Sequence, residues 1–368
     1  MPGPSRVAII GGGIGGLACA LFINHFATKA DLDISIDVYE QSLEYKEIGA
    51  GVGIGPNAAK LLHHIGLGDE LNAIAGDRNG VWISFRRFDN GEEIVTVPSK
   101  DDVAVRQAPV ARSELLELFL HAIEQRKAAV LHTAKKALSI EVLDDSKAVR
   151  VNFADGHSAT ADLVVACDGI HSSIRNQFVQ DKPTYSGRIV YRGVIPMSAV
   201  RNSWPLPSYS VSWLAKDSHF FVFPISRNES LNIVAFASKS EEDIGDLRES
   251  WTASCSRAEA ESDFAHYDDV VRRTIASMPD RIAKWKLNDR EPLDQWTYFD
   301  GKVVIMGDAA HAMLPHQGAG AGQSLEDGYI LARSLTDCLR NASMSSTCGM
   351  KTSGLARFMH LYQTVRLP

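Results

Sequence analysis

Residues Arg6 to Glu40 leave a chain little choice of fold. Arg6 to Ile10 is a short β-favouring run, and Gly11-Gly12-Gly13-Ile14-Gly15-Gly16 follows it. A helical stretch then reaches about Phe26, and Ile34, Ile36 and Val38 alternate toward Glu40. Strand, glycine turn, helix and strand in this order make the opening βαβ unit of a doubly wound sheet. Gly11 permits the tight turn, Gly13 lets a pyrophosphate approach bare backbone, and Gly16 allows close helix packing. Glu40 ends the second strand, where a carboxylate accepts protons from both ribose hydroxyls. The unit predicts a dinucleotide site, and the motif alone does not distinguish FAD from NAD.

Two further apolar runs end in loops of the same character. Asp168-Gly169-Ile170-His171-Ser172-Ser173-Ile174-Arg175 follows one, and in isolation reads as ordinary helix-start chemistry. Lys302 to Met306 is the other, and it runs into Gly307-Asp308 and then Gly318-Ala319-Gly320-Ala321-Gly322. An acid at a strand end suits a polyol chain, and small residues aim bare N–H groups at an anion. The following segment carries Leu325, Ile330, Leu331 and Leu335. Its helix dipole would stabilise negative charge on the N1–C2=O edge of an isoalloxazine. Two nucleotide contacts at opposite ends of the chain fit one extended cofactor, so FAD is the expectation.

Elsewhere, a second glycine-rich loop, Gly49 to Gly55, precedes Pro56 and a helix with Leu61, Leu62 and Ile65. Val81 to Phe88 and Glu93 to Val97 read as strands about Asp89-Asn90-Gly91. Ser113 is placed to cap a helix. Val149 to Phe153 and Asp162 to Ala166 are expected to return to the sheet. From Tyr185 to Ser238 closely spaced β-runs predict a separate, largely antiparallel sheet. Glu241 to Ala265 reads as a surface helix, and Asn341 to Gly354 is a low-complexity piece rich in Ser and Met. The expected fold is α/β: a Rossmann-like FAD-binding domain with an inserted β-sheet substrate domain. Its boundaries are 1–180 for the first part of the FAD domain, 181–290 for the sheet, 291–340 for the return segment and 341–368 for a C-terminal helical segment.

Composition narrows the function classes. The 368 residues carry a net charge of −7, with basic residues scattered, which argues against nucleic acid or an anionic membrane as partner. The five cysteines include no C-x-x-C pair, so reduced, mostly buried thiols are expected and a disulfide reductase is disfavoured. The longest apolar run, Val7 to Ile23, contains five glycines and makes a poor signal peptide or membrane span. A soluble cytoplasmic protein, monomer or homodimer, with no metal site, is the expectation.

The order of the three loops resembles the FAD-dependent aromatic hydroxylases, the single-component flavoprotein monooxygenases. The phrase GDAAHAMLPHQGAGAGQSLED is especially similar to the salicylate hydroxylase branch. The resemblance covers most of residues 5–340. It implies Gly11, Gly13, Gly16 and Glu40 on the adenosine and pyrophosphate, Arg112 on FAD, and Asp308 on the ribityl or pyrophosphate side. Asp168-Gly169 matches a turn associated with both FAD and NAD(P)H. Pro315 and Gly318, Ala319, Gly320, Ala321 and Gly322 match the segment flanking the flavin. The chemistry implied is reduction of FAD by NADH or NADPH, uptake of O₂, and hydroxyl transfer from a C4a-hydroperoxide to a phenolic or aromatic acid, with decarboxylation in the salicylate branch. An exposed hydroperoxide decays to H₂O₂, so the site must exclude water. No second G-x-G-x-x-G follows a later strand, which fits transient docking of the nicotinamide. The other readings are a flavin monooxygenase hydroxylating or epoxidising a polyketide or terpenoid, and a truncated flavin-binding protein without activity. The last arises because Leu355 to Arg366 resembles the family's late helix, yet the chain stops at Pro368 where members usually continue.

For acid/base chemistry the candidates are His219, in the run His219-Phe220-Phe221-Val222-Phe223-Pro224, and His316, beside Pro315 in the flavin-flanking loop. His311 reads as structural. Arg86, Arg87 and Arg192 are the candidates to receive a substrate carboxylate. Phe220, Phe221, Phe223 and Trp213 are available to wall a flat apolar pocket.

Overall fold

The computed structural model describes residues 5–45, 50–77, 79–99, 105–143, 148–245, 254–344 and 352–367. Packing divides the chain into two units, one of residues 1–46, 116–183 and 289–368, the other of 47–115 and 184–288. Residues 47–115, read above as part of the FAD domain, thus pack with the inserted sheet.

The first unit is built on a six-stranded sheet. Its order is Thr297–Tyr298, Val303–Ile305, Leu163–Ala166, Ser5–Ile10, Ile34–Tyr39 and Val130–His132. All neighbours are parallel except the first pair. The helix Ile14–Lys29 is apolar on nearly every side because it is covered by the sheet and by the long helix Gly320–Met344. Leu17, Leu21, Phe22 and Ile23 are fully buried there, each contributing about 1.5–3 kcal/mol. Small residues bring the two helices close. A Cβ on Gly15 would lie 2.0 Å from Ser324 Oγ, and one on Gly328 would lie 3.1 Å from Cys19 Cα. Phe22 and Phe26 meet Tyr329 edge-on at 5.4 and 5.2 Å.

Val149–Phe153 does not return to this sheet. It is the central strand of a separate three-stranded antiparallel sheet, between Ser158–Ala161 and Ala137–Val142. Its alternating burial suits a sheet with one face packed, whereas Leu163–Ala166 is buried at every position as a central parallel strand must be.

The second unit holds an eight-stranded sheet. Its order is Ser254–Ser256, Arg281–Asp289, Thr184–Pro196, Ser230–Ser238, Ser218–Ile225, Val211–Leu214, Val81–Arg87 and Glu93–Pro98. One face carries Tyr191, Trp213, Phe220, Val222 and Ile233, packed on Phe264, Val271 and Ile275 beside two short helices. The region read as one helix from Glu241 to Ala265 is broken: a single turn at Glu241–Ile244, then the edge strand Ser254–Ser256 and the helix Arg257–Asp263 among the described residues. Polar composition signalled exposure there but carried no period. Ser113 lies inside the helix Arg112–Arg126 rather than capping it. Gly49 and Cys348 lie outside the described residues, as do residues 345–351 of the Ser/Met-rich piece. Cys19, Cys167, Cys255 and Cys338 are free thiols. Among the described residues no helix is long and apolar enough to cross a membrane.

Candidate functional site

In the first unit the strand register places the three loops side by side. Ile10 is level with Tyr39 on one side and Ala166 on the other, and Ala166 is level with Ile305. Backbone bonds continue the row past the strand ends: Gly11 N to Tyr39 O at 2.9 Å, Cys167 N to Ile10 O at 2.8 Å, and Met306 N to Ala166 O at 2.9 Å. Glu40, Gly11, Asp168 and Gly307 therefore line one edge of four adjacent parallel strands, spanning about 14 Å at the usual strand spacing. This edge, outside the carboxyl ends of the strands, is where open α/β sheets bind ligands.

Each glycine has a local reason. Gly11 has φ +109°, and a Cβ there would sit 2.3 Å from Cys167 O. On Gly16 a Cβ would be 2.0 Å from Gly11 O and 2.9 Å from Cys167 Sγ, so the helix could not approach the strand. Gly13 is different, because among the described residues nothing lies within 4 Å of its missing side chain. Fold packing does not require glycine there, but an approaching phosphate would. The Glu40 carboxylate accepts from Gly12 N at 2.7 Å and Ser42 N at 2.8 Å. A carboxylate has about four lone pairs, so each oxygen keeps acceptor capacity for a ribose hydroxyl. Asp168 Oδ2 accepts from Ser173 N at 2.8 Å, whereas its buried Oδ1 has no partner among the described residues. Burial pushes that carboxyl upward, which its hydrogen bonds only partly offset. The orphaned oxygen and the open cradle at Gly13 both fit a polyhydroxylated diphosphate cofactor such as FAD.

Asp308 opens the turn of helix Asp308–His311 and is exposed. Pro315 and His316 form an exposed 3₁₀ turn, and Gly318 follows in the left-handed region at φ +62°. The glycine-rich segment is not wholly a loop, for Gly320, Ala321 and Gly322 are the first turn of the long helix. Their N–H groups are among those a helix start leaves without intrahelical partners. Tyr45, which the sequence reading passed over, packs on Gly12. Its hydroxyl is buried without a partner among the described residues, and burial, with Glu40's charge, pushes its pKa up to about 12.

In the second unit the sheet face opposite the helices gathers a different set. The register sets Arg192 level with Val234 and Phe221, Val194 level with Asn232 and Phe223, and Val190 level with Phe236 and His219. His219 stacks on Phe236 at 4.2 Å. Phe221 and Phe223 share this face, but Trp213 and Phe220 point into the core on the other. Arg86 is also placed elsewhere. It is level with Trp213, and its guanidinium goes to Gly91 O at 2.8 Å and Glu93 at 3.2 Å, so it braces the hairpin. Arg87 is half-exposed and paired with Asp89 at 2.7 Å.

Arg192 Nη2 donates to Gly51 O at 2.7 Å, and its buried Nε has no partner among the described residues. No carboxylate among the described residues pairs with it. Burial, with the nearby charge of Arg112, pushes its pKa down to about 10, which leaves it cationic at neutral pH. Fully buried Asn232 accepts from Gly51 N at 2.7 Å, and its Nδ2 also lacks an acceptor. Gly51 is therefore held at both its N–H and its C=O, and any side chain on it would strike Asn232 and Phe223. That is why the expected loop is instead a strand, Gly51–Ile54, paired with Ala108–Ala111. Arg112 opens the next helix, its N–H on Ala50 O at 2.9 Å. Asn232 was missed because a lone amide inside an apolar β-run has no sequence signature.

Comparison with known proteins bears on the same regions. The model of the FAD binding domain family matches residues 5–348. A salicylate hydroxylase of Pseudomonas putida is 31% identical across 99% of this chain and 82% of its own length. A 6-hydroxynicotinate 3-monooxygenase of Bordetella bronchiseptica is 31% identical across 90% of this chain and 83% of its own. The solved structure of a salicylate hydroxylase substrate complex superposes with a TM-score of 0.80 at 28% identity, covering 99% of this chain and 84% of that one. The chain belongs to the FAD binding domain family and, within it, to the FAD-dependent aromatic hydroxylases, which makes it an FAD-dependent monooxygenase using NAD(P)H and O₂.

Proposed function

We propose that this monooxygenase hydroxylates a small phenolic or aromatic acid bound as its anion. The observation that carries this reading is the cation at Arg192. Among the described residues it has no acid partner, and beside it stand two buried donors, Arg192 Nε and Asn232 Nδ2, with no acceptor there. Unsatisfied buried donors of this kind cost about 1–3 kcal/mol each until an acceptor arrives. A carboxylate or phenolate satisfies them, and a terpenoid does not. Phe221, Val234 and Phe236 supply a flat apolar floor of ring size on the same face. The names of the relatives, acting on salicylate and 6-hydroxynicotinate, support a compact anionic ring.

FAD, when bound, supplies electron transfer from NAD(P)H and activation of O₂. Gly11, Gly13, Gly16, Glu40 and Asp168 hold its nucleotide end in this reading. Arg112, Asp308 and Gly318 to Gly322 hold the remainder, with helix N–H groups set against negative charge. Arg192 and Asn232 orient the anionic oxygen of the substrate, and His219 or His316 takes or returns the phenolic proton. Overall one ring C–H, O₂, NAD(P)H and a proton give C–OH, water and NAD(P)⁺. Where the attacked carbon carries the carboxylate, CO₂ leaves in place of the proton.

The test measures NAD(P)H oxidation by the FAD-loaded protein with salicylate, 6-hydroxynicotinate and the neutral salicylamide, with products identified by mass spectrometry. Faster oxidation with a hydroxylated product is expected for an acid and not for the amide, and released CO₂ reports decarboxylation. Equal turnover of acid and amide, or turnover of neutral polyketides alone, overturns the reading.

A further inference from the structure

A buried ionic cluster in the first unit lies beside the turn that leads into Asp308. Asp327, 0% exposed, stands on the long helix Gly320–Met344. Its Oδ2 accepts from Gly307 N at 2.9 Å and bonds His311 Nε2 at 2.6 Å. Its Oδ1 accepts from Arg366 Nε at 2.7 Å. Arg366, near the end of the final helix Thr352–Arg366, also pairs with Glu326 at 2.7 Å and donates to Gln323 O and Oε1. Gly307 sits at φ +61° with its C=O accepting from Ala310 and His311, so this one residue sets the direction in which Asp308 leaves the strand.

We propose that Asp327 is a positioning residue for FAD, holding the Gly307–Asp308 turn on one side and Arg366 on the other, so that the final helix governs how tightly the cofactor is kept. The proposal rests on the reading of Asp308 as an FAD contact. The charges explain the design. Asp327 and Glu326 carry two negative charges against the single positive charge of Arg366. A protonated His311 balances the cluster and leaves Asp327 with ion partners on both oxygens. Burial alone would lower the His311 pKa, but the hydrogen bond and charge of Asp327 outweigh it and hold the pKa above the ordinary histidine value, aided by Asp308. The other titratable groups in Asp327's field are Tyr362 on the final helix, Cys19 and Cys167, all with pKa values pushed upward and so neutral over the working range. Among the described groups of the cluster, His311 is then the one whose titration, above the ordinary histidine range, changes the charge. Its imidazolium also attracts a diphosphate.

The sign follows. FAD is held best below the His311 pKa and progressively less well as pH rises through it. The experiment measures the FAD dissociation constant of folded protein across that range, by flavin fluorescence, for wild type, Arg366→Met, Arg366→Lys, Asp327→Asn, His311→Gln and Asp308→Ala. Arg366→Met should weaken FAD on the order of ten- to a hundredfold, because it strands buried negative charge, and Arg366→Lys should recover part of the loss. Asp327→Asn and His311→Gln should flatten the pH dependence. His311→Gln keeps a donor for Asp327 and carries the test should Arg366→Met fail to fold. Wild-type affinity in Arg366→Met, or wild-type pH dependence in His311→Gln, overturns the proposal. An unchanged affinity in Asp308→Ala overturns the FAD reading of the turn itself, and weakening there without any effect at Arg366 or His311 removes only the present inference.

Discussion

Arg192 is a cation held largely out of water, with no counter-ion among the described residues, and that makes it the residue whose loss is most informative. Removing it costs two things at once: the bond to Gly51 O and the charge offered to a substrate anion. The two are separable. Arg192→Lys keeps charge but loses the planar fork, whereas Arg192→Met loses both. A hydrogen bond to a charged group is worth about 1.5–3 kcal/mol, so Arg192→Met should weaken binding of an aromatic carboxylate by roughly ten- to a hundredfold. Binding of the matching amide should change far less. Isothermal titration of acid and amide against the variants decides it, and equal losses for both would assign Arg192 to bracing the Gly51 strand alone. Asn232 belongs to the same argument, since its buried Nδ2 has no acceptor among the described residues.

At the scale of the element, the turn between the first strand and first helix separates folding from binding within six residues. Gly16 is required by packing, since a Cβ there meets the Gly11 carbonyl at 2.0 Å, and backbone cannot step aside. Gly16→Ala should lower stability by about 1–3 kcal/mol, as overpacking does. Gly13 has an extended backbone that any residue adopts and open space where a side chain would go. Gly13→Ala should leave the melting temperature of the FAD-free protein nearly unchanged yet weaken FAD. Thermal melts with and without FAD check both, and equal destabilisation of the FAD-free forms would show that Gly13 is structural. These loops were legible in the sequence because each couples a strand, a turn and a helix start within a dozen residues, and local chemistry survives without knowledge of partners. Facing was less legible. Arg86 and Arg192 look alike in sequence, and only the register, Arg86 with Trp213 and Arg192 with Val234, puts them on opposite faces. Residues 47–115 group by packing with 184–288, which alternation does not reveal, since it shows that a strand is half-buried and not against what. The Asp327 cluster did leave a trace, an acid followed at i+4 and i+8 by Leu331 and Leu335 on the apolar stripe of its helix. That signal was overshadowed by the glycines before it.

For the molecule as a whole, the first unit brings together segments that are remote in the chain. Gly11, Asp168 and Gly307 follow the ends of adjacent strands, held by the backbone bonds that continue the row past those ends. A ligand that spans such turns binds only the folded arrangement, and so stabilises it by mass action, about 4 kcal/mol at a thousand times its dissociation constant. With an unfolding entropy of about 2.1 cal/mol/K per residue, a chain of 368 residues gains roughly 1.3 °C per kcal/mol, so saturating FAD should raise the apparent melting temperature by about 5 °C. The gain should also be local. Hydrogen exchange should slow most at 10–13, 167–169 and 306–308, where fraying of strand ends is suppressed. In the second unit the core strand from Val211 to Leu214, already packed around Trp213, has little to gain. Removal of FAD by dialysis against high salt should reverse both effects, and its return should restore them. If added FAD left the melting temperature unmoved, or protected the second unit's core as much as the three turns, the row of strand ends would not be where the cofactor is held.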